Sequence, residues 1–184
     1  MGKLIRLHHS EIRVFRTDLG WMALETRART ICNLVFGHDT AKAAEVQIVR
    51  AVEANSDGYT NETSTENAWI EELVERLRDY AAGRPVEFDD FEVDTSAMTD
   101  FGRRVIKACR KIPYGHTLTY AVLAAKAGSR GAARAVGNRM AKNRVPLIVP
   151  CHRVLAAGNR LGGYSAPGGV KLKLRLLEME AGNI

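Results

Sequence analysis

The segment VPCHRV, residues 149–154, places Cys151 between a proline and a histidine. A cysteine can act as a nucleophile, ligate a metal or fill a small buried space, and the last role is the commonest in intracellular proteins. A free thiol has a pKa of about 8.5, so a nucleophilic role requires a base or a positive field. His152 and Arg153 supply such groups, but adjacent side chains of a strand point apart. Cys151 is therefore a candidate nucleophile only if the chain turns beside it.

A histidine that acts as a base needs a partner, usually a carboxylate, that holds its ring. The only carboxylates that follow His152 in the chain are Glu178 and Glu180. Both lie on a predicted closing helix, which would have to pack behind the turn that carries Cys151. The residues alone leave both candidates open.

A zinc site is the main chemical alternative for the cysteines and histidines. Structural zinc needs four ligands, which commonly occur as CxxC or HxxxH pairs. The sequence contains no CxxC, and His8, His9, Cys32 and His38 would have to converge from separate segments. We therefore expect no metal ion and no cofactor.

The three cysteines, Cys32, Cys109 and Cys151, are widely spaced, which favours a reducing compartment over a disulfide framework. The first residues lack the apolar core and cleavage site of a secretory signal. No apolar run approaches the roughly 20 residues that cross a bilayer. We expect a cytoplasmic protein, nuclear if its source is eukaryotic, with no membrane partner.

Charge is sorted along the chain. From Phe101 to Leu177 the sequence has 16 Lys and Arg residues and not one Asp or Glu, whereas residues 1–100 carry 11 basic and 19 acidic residues. An acid-free basic stretch is suited to a polyanion, most simply nucleic acid. The alternative is a solvated basic face, and the length of the stretch favours the polyanion.

Short runs rich in β-branched and aromatic residues begin the chain, and they predict consecutive strands of an antiparallel sheet. A helix is predicted over residues 39–55, with Asp39 as its N-cap. The three runs are IRVFRT, WMALET and TICNLVF, and the expected inward-facing residues of the helix are Ala43, Val46 and Val49.

A second helix is predicted over residues 65–83, after a polar loop at residues 56–65, and Gly83 ends it. Residues 84–98 are interpreted as an extended linker, which places a domain boundary near residue 96. The expected apolar face of this helix consists of Trp69, Leu73, Leu77 and Tyr80.

The second part of the chain is predicted to be mainly helical. A helix over residues 100–111 places Cys109 beside its apolar stripe, as a buried structural thiol. Two short helices follow, over residues 119–128 with Thr119 as N-cap and over residues 129–143, joined by the tight turn AGSRG. This pattern is typical of a helix-turn-helix, with an ordinary helical hairpin as the alternative. The stripe of the first helix is Phe101, Val105, Ala108 and Ile112, and the outward face of the last is Arg130, Arg134 and Asn138.

The remaining segments complete this second part. Residues 145–149 are expected to be extended, and AAGNRLGG predicts a hairpin wing between Leu155 and Tyr164. A closing helix is predicted over residues 168–183. Its expected inward-facing residues are Val170, Leu174 and Leu177, and Gly182 ends it.

Taken together, these segments resemble the O6-alkylguanine-DNA alkyltransferases, also called methylated-DNA–protein-cysteine methyltransferases. VPCHRV is preceded by AARAVGNRMAKN and followed by GGYS and LLEMEAG, and IPYGHTLTYAVLAAKAG lies upstream. The likeness covers residues 99–182 and rests on the highly specific PCHRV core. The first part resembles the family only in its strand pattern and in the helix and linker after it.

The resemblance implies an α+β fold and a function. It implies a small ribonuclease-H-like domain with an antiparallel sheet and helices, residues 1–96, and a mainly helical DNA-binding domain with a helix-turn-helix and a wing, residues 97–184. The implied activity is DNA repair by one irreversible transfer of an alkyl group from O6-alkylguanine, or O4-alkylthymine, to Cys151. The implied partner is double-stranded DNA that contains alkylated guanine, bound by a monomer without a cofactor.

The resemblance also implies roles at the reaction centre. Cys151 would accept the alkyl group, His152 would take the thiol proton through a water, and Glu180 would hold His152. Asn143 would brace the turn that carries them. Tyr120 would donate a hydrogen bond to the guanine as it leaves.

Other residues would meet the DNA. Arg134 would fill the gap left when the damaged nucleotide is flipped out of the stack. Ala132 and Ala133 would let the recognition helix approach the minor groove closely. Further DNA contacts would come from Arg130 and Asn138, and the pocket for the flipped base and its alkyl group would be lined by Tyr164, Ser165, Met140, Pro146 and Val154.

Each role has a structural alternative: Tyr120 as a core aromatic, Asn143 as a helix C-cap, and Arg134 as one basic residue among sixteen. Two other functions also remain open. A lesion-binding protein that performs no transfer would lack the acceptor cysteine, which is present here. A DNA-binding regulator with Cys151 as a sensor would carry a zinc-cysteine module, which this sequence does not suggest.

Overall fold

The computed structural model describes residues 3–7, 10–54 and 67–182. Its internal contacts divide the chain into two compact units, residues 1–94 and 95–184. The predicted polar loop at residues 56–65 lies outside the described residues. Within the described ranges, no helix combines the length and the apolar character that a membrane crossing requires.

A five-stranded sheet forms the first unit. Its first four strands are antiparallel neighbours, of which the second, third and fourth were predicted, and the fifth pairs in parallel with the fourth. The turn between the second and third strands requires Gly20, which has φ +95° and where a Cβ would lie 2.8 Å from the carbonyl oxygen of His38. The strands are β1 (Lys3–Leu7), β2 (Ser10–Thr17), β3 (Gly20–Arg27), β4 (Thr30–His38) and β5 (Glu92–Val93).

Helix α1 (Ala41–Glu53) covers one face of this sheet. Its N-cap is Thr40, whose side-chain oxygen accepts a hydrogen bond from the Ala43 amide, so the predicted cap Asp39 is wrong by one position. The predicted inward face is wrong for two of its three residues, because Val46 is exposed and Ala43 is outside the core, whereas the half-buried Val49 packs against the core. An i, i+4, i+8 row turns inward instead and packs against strands β2 and β3; it consists of Ala44, Ile48 and Val52.

Helix α2 (Asn67–Ala81) buries Leu73, Leu77 and Tyr80, as its periodicity predicts. Trp69 is only half-buried, and its ring lies 5.5 Å from that of Phe91. This contact ties the helix to the segment that was expected to be a linker.

The linker expectation for residues 84–98 is wrong for most of that segment. Phe88, Phe91 and Val93 are buried, and residues 92–93 add β5 to the sheet. The Arg76 guanidinium on α2 donates to the Asp90 carboxylate over 2.7 Å. The apolar residues of the segment bury enough surface to make it part of the first unit.

The second unit is built on four helices. Two of these helices begin at a threonine N-cap, whose side-chain oxygen accepts a hydrogen bond from a backbone amide. Thr99 accepts from the Gly102 amide, and Thr119 accepts from the Val122 amide, as predicted for Thr119. Val105 and Cys109 are fully buried, whereas Phe101 and Ala108 of the predicted stripe are only half-buried. The helices are α3 (Asp100–Arg110), α4 (Tyr120–Lys126), α5 (Ala133–Ala141) and α6 (Gly169–Glu180).

Helices α4 and α5 pack against each other across a short turn. The turn passes through Gly128 and Gly131, with φ +77° and +88°. Val136 and Met140 of α5 face inward. The predicted outward residues of this segment, Arg130, Arg134 and Asn138, are all exposed.

The loop after Leu155 does not form the predicted hairpin. Strand β7 (Val154–Leu155) pairs in parallel with β6 (Leu118–Thr119) instead of with residues near Tyr164. The amide of Ala156 donates to the carbonyl of Arg160 over 2.7 Å and closes a local turn. The chain after Leu155 therefore leaves the small sheet as a loop.

Helix α6 presents a different face from the one predicted. Val170 and Leu174 are 43% and 42% exposed, whereas Lys173 and Glu180 are buried together with Leu176. The Lys173 ammonium donates to the carbonyl of Val154 over 2.7 Å. Apolar spacing predicted the wrong face because buried hydrogen bonds compensate the desolvation of the polar side chains.

Candidate active site

The chain turns sharply at Pro150, immediately before Cys151. Pro150 has φ −78° and ψ 65°, and the Cys151 amide donates to the Val149 carbonyl over 2.7 Å. These values define an inverse γ-turn. Residues 151–153 continue as one 3₁₀ turn, so Cys151 and His152 are not neighbours in an extended strand. The chain thus turns beside Cys151, which meets the condition that the sequence set for a nucleophile, and both residues are buried.

Asn143, which lies just after α5, is hydrogen-bonded both to this turn and to the sulfur of Cys151. Its side-chain amide donates to the carbonyl of Val149 over 2.8 Å and to Sγ of Cys151 over 3.1 Å. Its carbonyl oxygen accepts from the amide of Val145 over 3.1 Å. One side chain thus fixes the position of the turn and donates directly to the sulfur.

Glu180 at the end of α6 is the carboxylate that holds His152. Nε2 of His152 lies 2.8 Å from Oε1 of Glu180, and both side chains are almost inaccessible to solvent. Glu178 is exposed. The sequence left Glu178 and Glu180 as alternatives, and the rotation of α6 about its axis brings Glu180 to His152.

Arg153 and a backbone amide complete the shell around this carboxylate. The Arg153 guanidinium donates to Oε2 over 2.9 Å and to Oε1 over 3.0 Å, and it also donates to the Ile112 carbonyl over 2.6 Å. The amide of Gly115 donates to Oε2 over 3.1 Å. The carboxylate is thus ionised, fully hydrogen-bonded and fixed.

Gly115 is required at its position for two reasons. Its φ is +72°, and a Cβ there would lie 3.1 Å from the carbonyl oxygen of Glu180. The neighbouring Tyr114 ring lies 5.7 Å from the Arg153 guanidinium carbon. The turn before β6 is thereby packed directly against the carboxylate shell.

Burial and charge set the resting protonation states. Burial alone would raise the pKa of Glu180, but the hydrogen bonds and charges of His152 and Arg153 lower it to about 2. Burial lowers the pKa of His152, against the opposing effect of Glu180. Burial raises the pKa of the Cys151 thiol, against the opposing hydrogen bond from Asn143. The resting pair is a neutral thiol beside a neutral imidazole.

Lys173 and two tyrosines surround the thiol. Burial lowers the pKa of Lys173, while the charge of the Cys151 thiolate opposes this shift and Lys173 in turn lowers the pKa of Cys151. Burial, followed by the nearby Cys151, raises the pKa values of Tyr120 and Tyr164. Both phenols therefore stay protonated and can donate hydrogen bonds.

The remaining predicted site residues occupy two regions. Val154 and Met140 are buried, Pro146 is half-buried, and Ser165 is exposed beside Tyr164. Ala132 and Ala133 are half-buried where α5 begins, and Arg130, Arg134 and Asn138 are exposed. Among residues 3–7, 10–54 and 67–182, no group of three or more His, Cys, Asp or Glu side chains could hold a metal ion; His8 and His9 lie outside these ranges.

Two functional residues were missed by the sequence reasoning. Lys173 precedes Glu180 by seven residues, which is about two helical turns, so both share one face of α6. That spacing could have indicated, from the sequence alone, that Lys173 lies on the same side of α6 as Glu180. Arg153 was treated only as a source of positive charge, and nothing local showed that it would bind the same carboxylate as His152.

The part of the chain that contains this site is similar to known proteins. A family model described as "6-O-methylguanine DNA methyltransferase, DNA binding domain" matches residues 100–182. This range contains Cys151 and the side chains described around it. A Mycobacterium tuberculosis OGT crystallised in complex with DNA has 33% sequence identity and a TM-score of 0.68, over 94% of this chain and 93% of that chain. The chain belongs to the O6-methylguanine-DNA methyltransferase family, as the resemblance predicted.

Relatives by sequence are named methylated-DNA--protein-cysteine methyltransferase. The protein of Methanothermobacter thermautotrophicus is 43% identical over 122 residues, and that of Mycobacterium bovis is 48% identical over 107 residues. These alignments cover 66% and 58% of this chain, and the chain spans just under two thirds of each relative, 66% and 62%. An archaeal enzyme from Pyrococcus kodakaraensis, 21% identical with a TM-score of 0.61, shares the α+β fold.

Proposed function

We propose that this protein repairs alkylated DNA by transferring an alkyl group from O6 of guanine to Cys151. One observation carries the proposal. Cys151 lies on a γ-turn beside His152, which Glu180 holds through a 2.8 Å hydrogen bond, and Asn143 donates to the sulfur over 3.1 Å. This is a thiol with a fixed base and a fixed donor, in a domain of the methyltransferase family.

The chemical step is one displacement. The Cys151 sulfur attacks the alkyl carbon as its proton passes to His152 through a water; the S–C bond forms and the C–O6 bond breaks. The electron pair of the broken bond stays on the guanine, which regains a proton. Tyr120, whose pKa is raised by burial, is the donor that assists the departing base.

Charge stabilisation in this step comes from groups that are already in place. The neutral His152 becomes positive when it accepts the proton, and the buried carboxylate of Glu180 stabilises that charge. Lys173 favours the transient thiolate, because its charge lowers the pKa of Cys151. Little reorganisation is needed, since each of these groups is held by a hydrogen bond.

The DNA contact is assigned to α4 and α5, acting as a helix-turn-helix. Ala132 and Ala133 allow close approach to the groove, and Arg134, which is exposed, fills the space of the flipped nucleotide. Arg130 and Asn138 would add contacts to the backbone. The flipped base would meet Tyr164 and Ser165, and the alkyl group would meet Met140, Pro146 and Val154.

The reaction ends with a thioether, and Cys109, a second thiol that interacts electrostatically with Cys151, stays protonated because burial raises its pKa well above its usual range. We therefore infer that each molecule, acting as a monomer on double-stranded DNA, reacts once. O4-alkylthymine presents the same kind of carbon to the sulfur and is proposed as a second substrate. Cytoplasmic localisation, or nuclear localisation in a eukaryote, remains part of this proposal.

A mass measurement tests the proposal. The protein is mixed with a duplex that contains O6-methylguanine, digested, and the peptide with Cys151 is weighed. We expect one added methyl group on Cys151, no addition to Cys32 or Cys109, and no addition in Cys151→Ala, which still binds the duplex. An unmodified wild-type protein that nevertheless binds the lesion would contradict transfer and indicate a lesion-binding protein.

A further inference from the structure

A basic groove lies between α3, the turn that follows it and the end of α4. We call it the α3 groove; it has a cavity volume of about 610 Å³, and half of its ten lining residues are basic while none is acidic. Its apolar floor is formed by Ala108, Ile112, Pro113 and Leu118, and Thr117 completes the lining. The basic residues are Arg104, Lys107, Lys111, His116 and Lys126.

Three of these cations form a row along one face of α3. Arg104 and Lys107 stand at i and i+3 of the helix and Lys111 is its C-cap residue at i+7, so the three follow one another along the helix axis. Like charges at such spacings destabilise a helix by about 0.2–0.5 kcal/mol per pair. No carboxylate of the groove offsets this repulsion, because residues 101–177 contain none. An anion bound along the row would offset this repulsion.

The dimensions of the row match a nucleic-acid strand. Seven residues of helix span about 10 Å. Phosphates of one DNA strand advance about 3.4 Å each along the duplex axis, so the row faces about three of them. None of the groove's lining residues is Phe, Tyr or Trp, so the groove lacks the large aromatic surfaces on which bases usually stack. The small apolar floor suits deoxyribose between phosphates.

We propose that the α3 groove binds the sugar–phosphate backbone of DNA at a contact separate from the one made by α5. The proposal rests on the proposed function, because it takes DNA as the polyanion. None of the lining residues belongs to α5 or to the hydrogen-bonded cluster around Cys151. The contact adds affinity that depends on neither sequence nor lesion, so it keeps the protein on undamaged DNA during its search.

The test uses full-length protein and an unmodified duplex, with affinity measured by fluorescence anisotropy over a range of salt concentrations. The slope of log affinity against log salt changes by about 0.9 for each phosphate contact. Lys107→Gln with Lys111→Gln removes two exposed cations of the groove. Lys171→Gln with Arg175→Gln is the matched control, because these exposed residues have the same i, i+4 spacing on α6. Lys107→Arg with Lys111→Arg keeps the charge.

We expect the glutamine pair in the groove to reduce the slope by about 2, the α6 pair to reduce it by less than about 1, and the arginine pair to retain the wild-type slope. Equal slopes in the wild type and the groove variant would overturn the proposal. So would an equal loss in both glutamine pairs, which would indicate net charge alone.

Two further measurements separate the explanations. Calorimetry with inorganic triphosphate tests the other source of phosphate: binding to the wild type that disappears in the groove variant, without any change of the DNA slope, would assign the groove to small phosphate compounds and overturn the DNA contact. Methylation of wild-type Cys151 is measured in parallel. Absence of transfer would contradict the proposed function, whereas the slopes judge the groove independently.

Discussion

The imidazole of His152 and the carboxylate of Glu180 form a buried pair, with Nε2 and Oε1 2.8 Å apart although the two residues are 28 positions apart in the chain. The same carboxylate also accepts from Arg153 and from the amide of Gly115. Glu180 therefore connects the active-site turn, the turn before β6 and the last helix. Its substitution should affect both stability and reactivity.

Glu180→Gln removes the negative charge and leaves the Arg153 guanidinium buried without its counter-ion. We expect a loss of about 3–5 kcal/mol in the free energy of unfolding, as for other broken buried pairs. Denaturant titration measures it, and single-turnover methyl transfer should slow in parallel. Glu178→Gln is the control, because this exposed neighbour should change stability by less than about 0.5 kcal/mol. Equal effects of the two substitutions would contradict the assignment.

The low pKa of Glu180, about 2, makes stability depend on acid pH. In the unfolded chain this carboxyl titrates near its ordinary value of 4.5. Its contribution is therefore complete above pH 4.5 and is lost as pH falls toward 2, by about 3 kcal/mol in total. Urea titrations between pH 6 and pH 3 should show a steeper loss for the wild type than for Glu180→Gln. Parallel curves would exclude this role for Glu180.

The pKa of His152, which burial lowers from 6.5, sets the acid limit of methyl transfer. A base must be unprotonated to take the thiol proton, and the lowered pKa keeps His152 unprotonated to a lower pH than a solvated histidine. Single-turnover rates should therefore decline with a midpoint below pH 6.5. A decline with its midpoint above 6.5 would show that His152 is solvated or is not the base.

Gly115 and Gly128 provide a matched pair of substitutions. Both have positive φ, +72° and +77°, but a Cβ at Gly115 meets the Glu180 carbonyl at 3.1 Å whereas nothing lies within 4 Å of one at Gly128. Gly128→Ala should cost about 1 kcal/mol from backbone strain alone. Gly115→Ala should cost more and should also slow methyl transfer, because it displaces the carboxylate. Unfolding titrations and transfer rates of both variants test this, and equal stability losses with unaltered transfer would be evidence against it.

The parts of this fold that local sequence determines were predicted. Strands β2, β3 and β4 coincide with the runs IRVFRT, WMALET and TICNLVF, and Thr119 caps α4 as its position indicates. The burial of β5 and the rotation of α6 were missed because distant contacts decide them. Lys173 faces inward because its ammonium donates a hydrogen bond to the carbonyl of Val154. The spacing of apolar residues along the helix gives no indication of this bond. The family motif assigned Glu180, but only the structure showed that Arg153 shares its carboxylate.

Lys173→Met tests whether the buried ammonium favours the thiolate of Cys151. Methionine has a similar length and preserves packing, but it removes the charge that lowers the pKa of the thiol. We expect the pKa of Cys151, followed by thiolate absorbance in the ultraviolet, to rise, and methyl transfer to slow. The substitution also leaves the carbonyl of Val154 without its donor, which should lower stability by about 1–3 kcal/mol. Lys171→Met is the control, because Lys171 is exposed two residues away on α6. If Lys173→Met destabilises the protein yet leaves the thiol pKa unchanged, Lys173 acts only as a structural donor to β7.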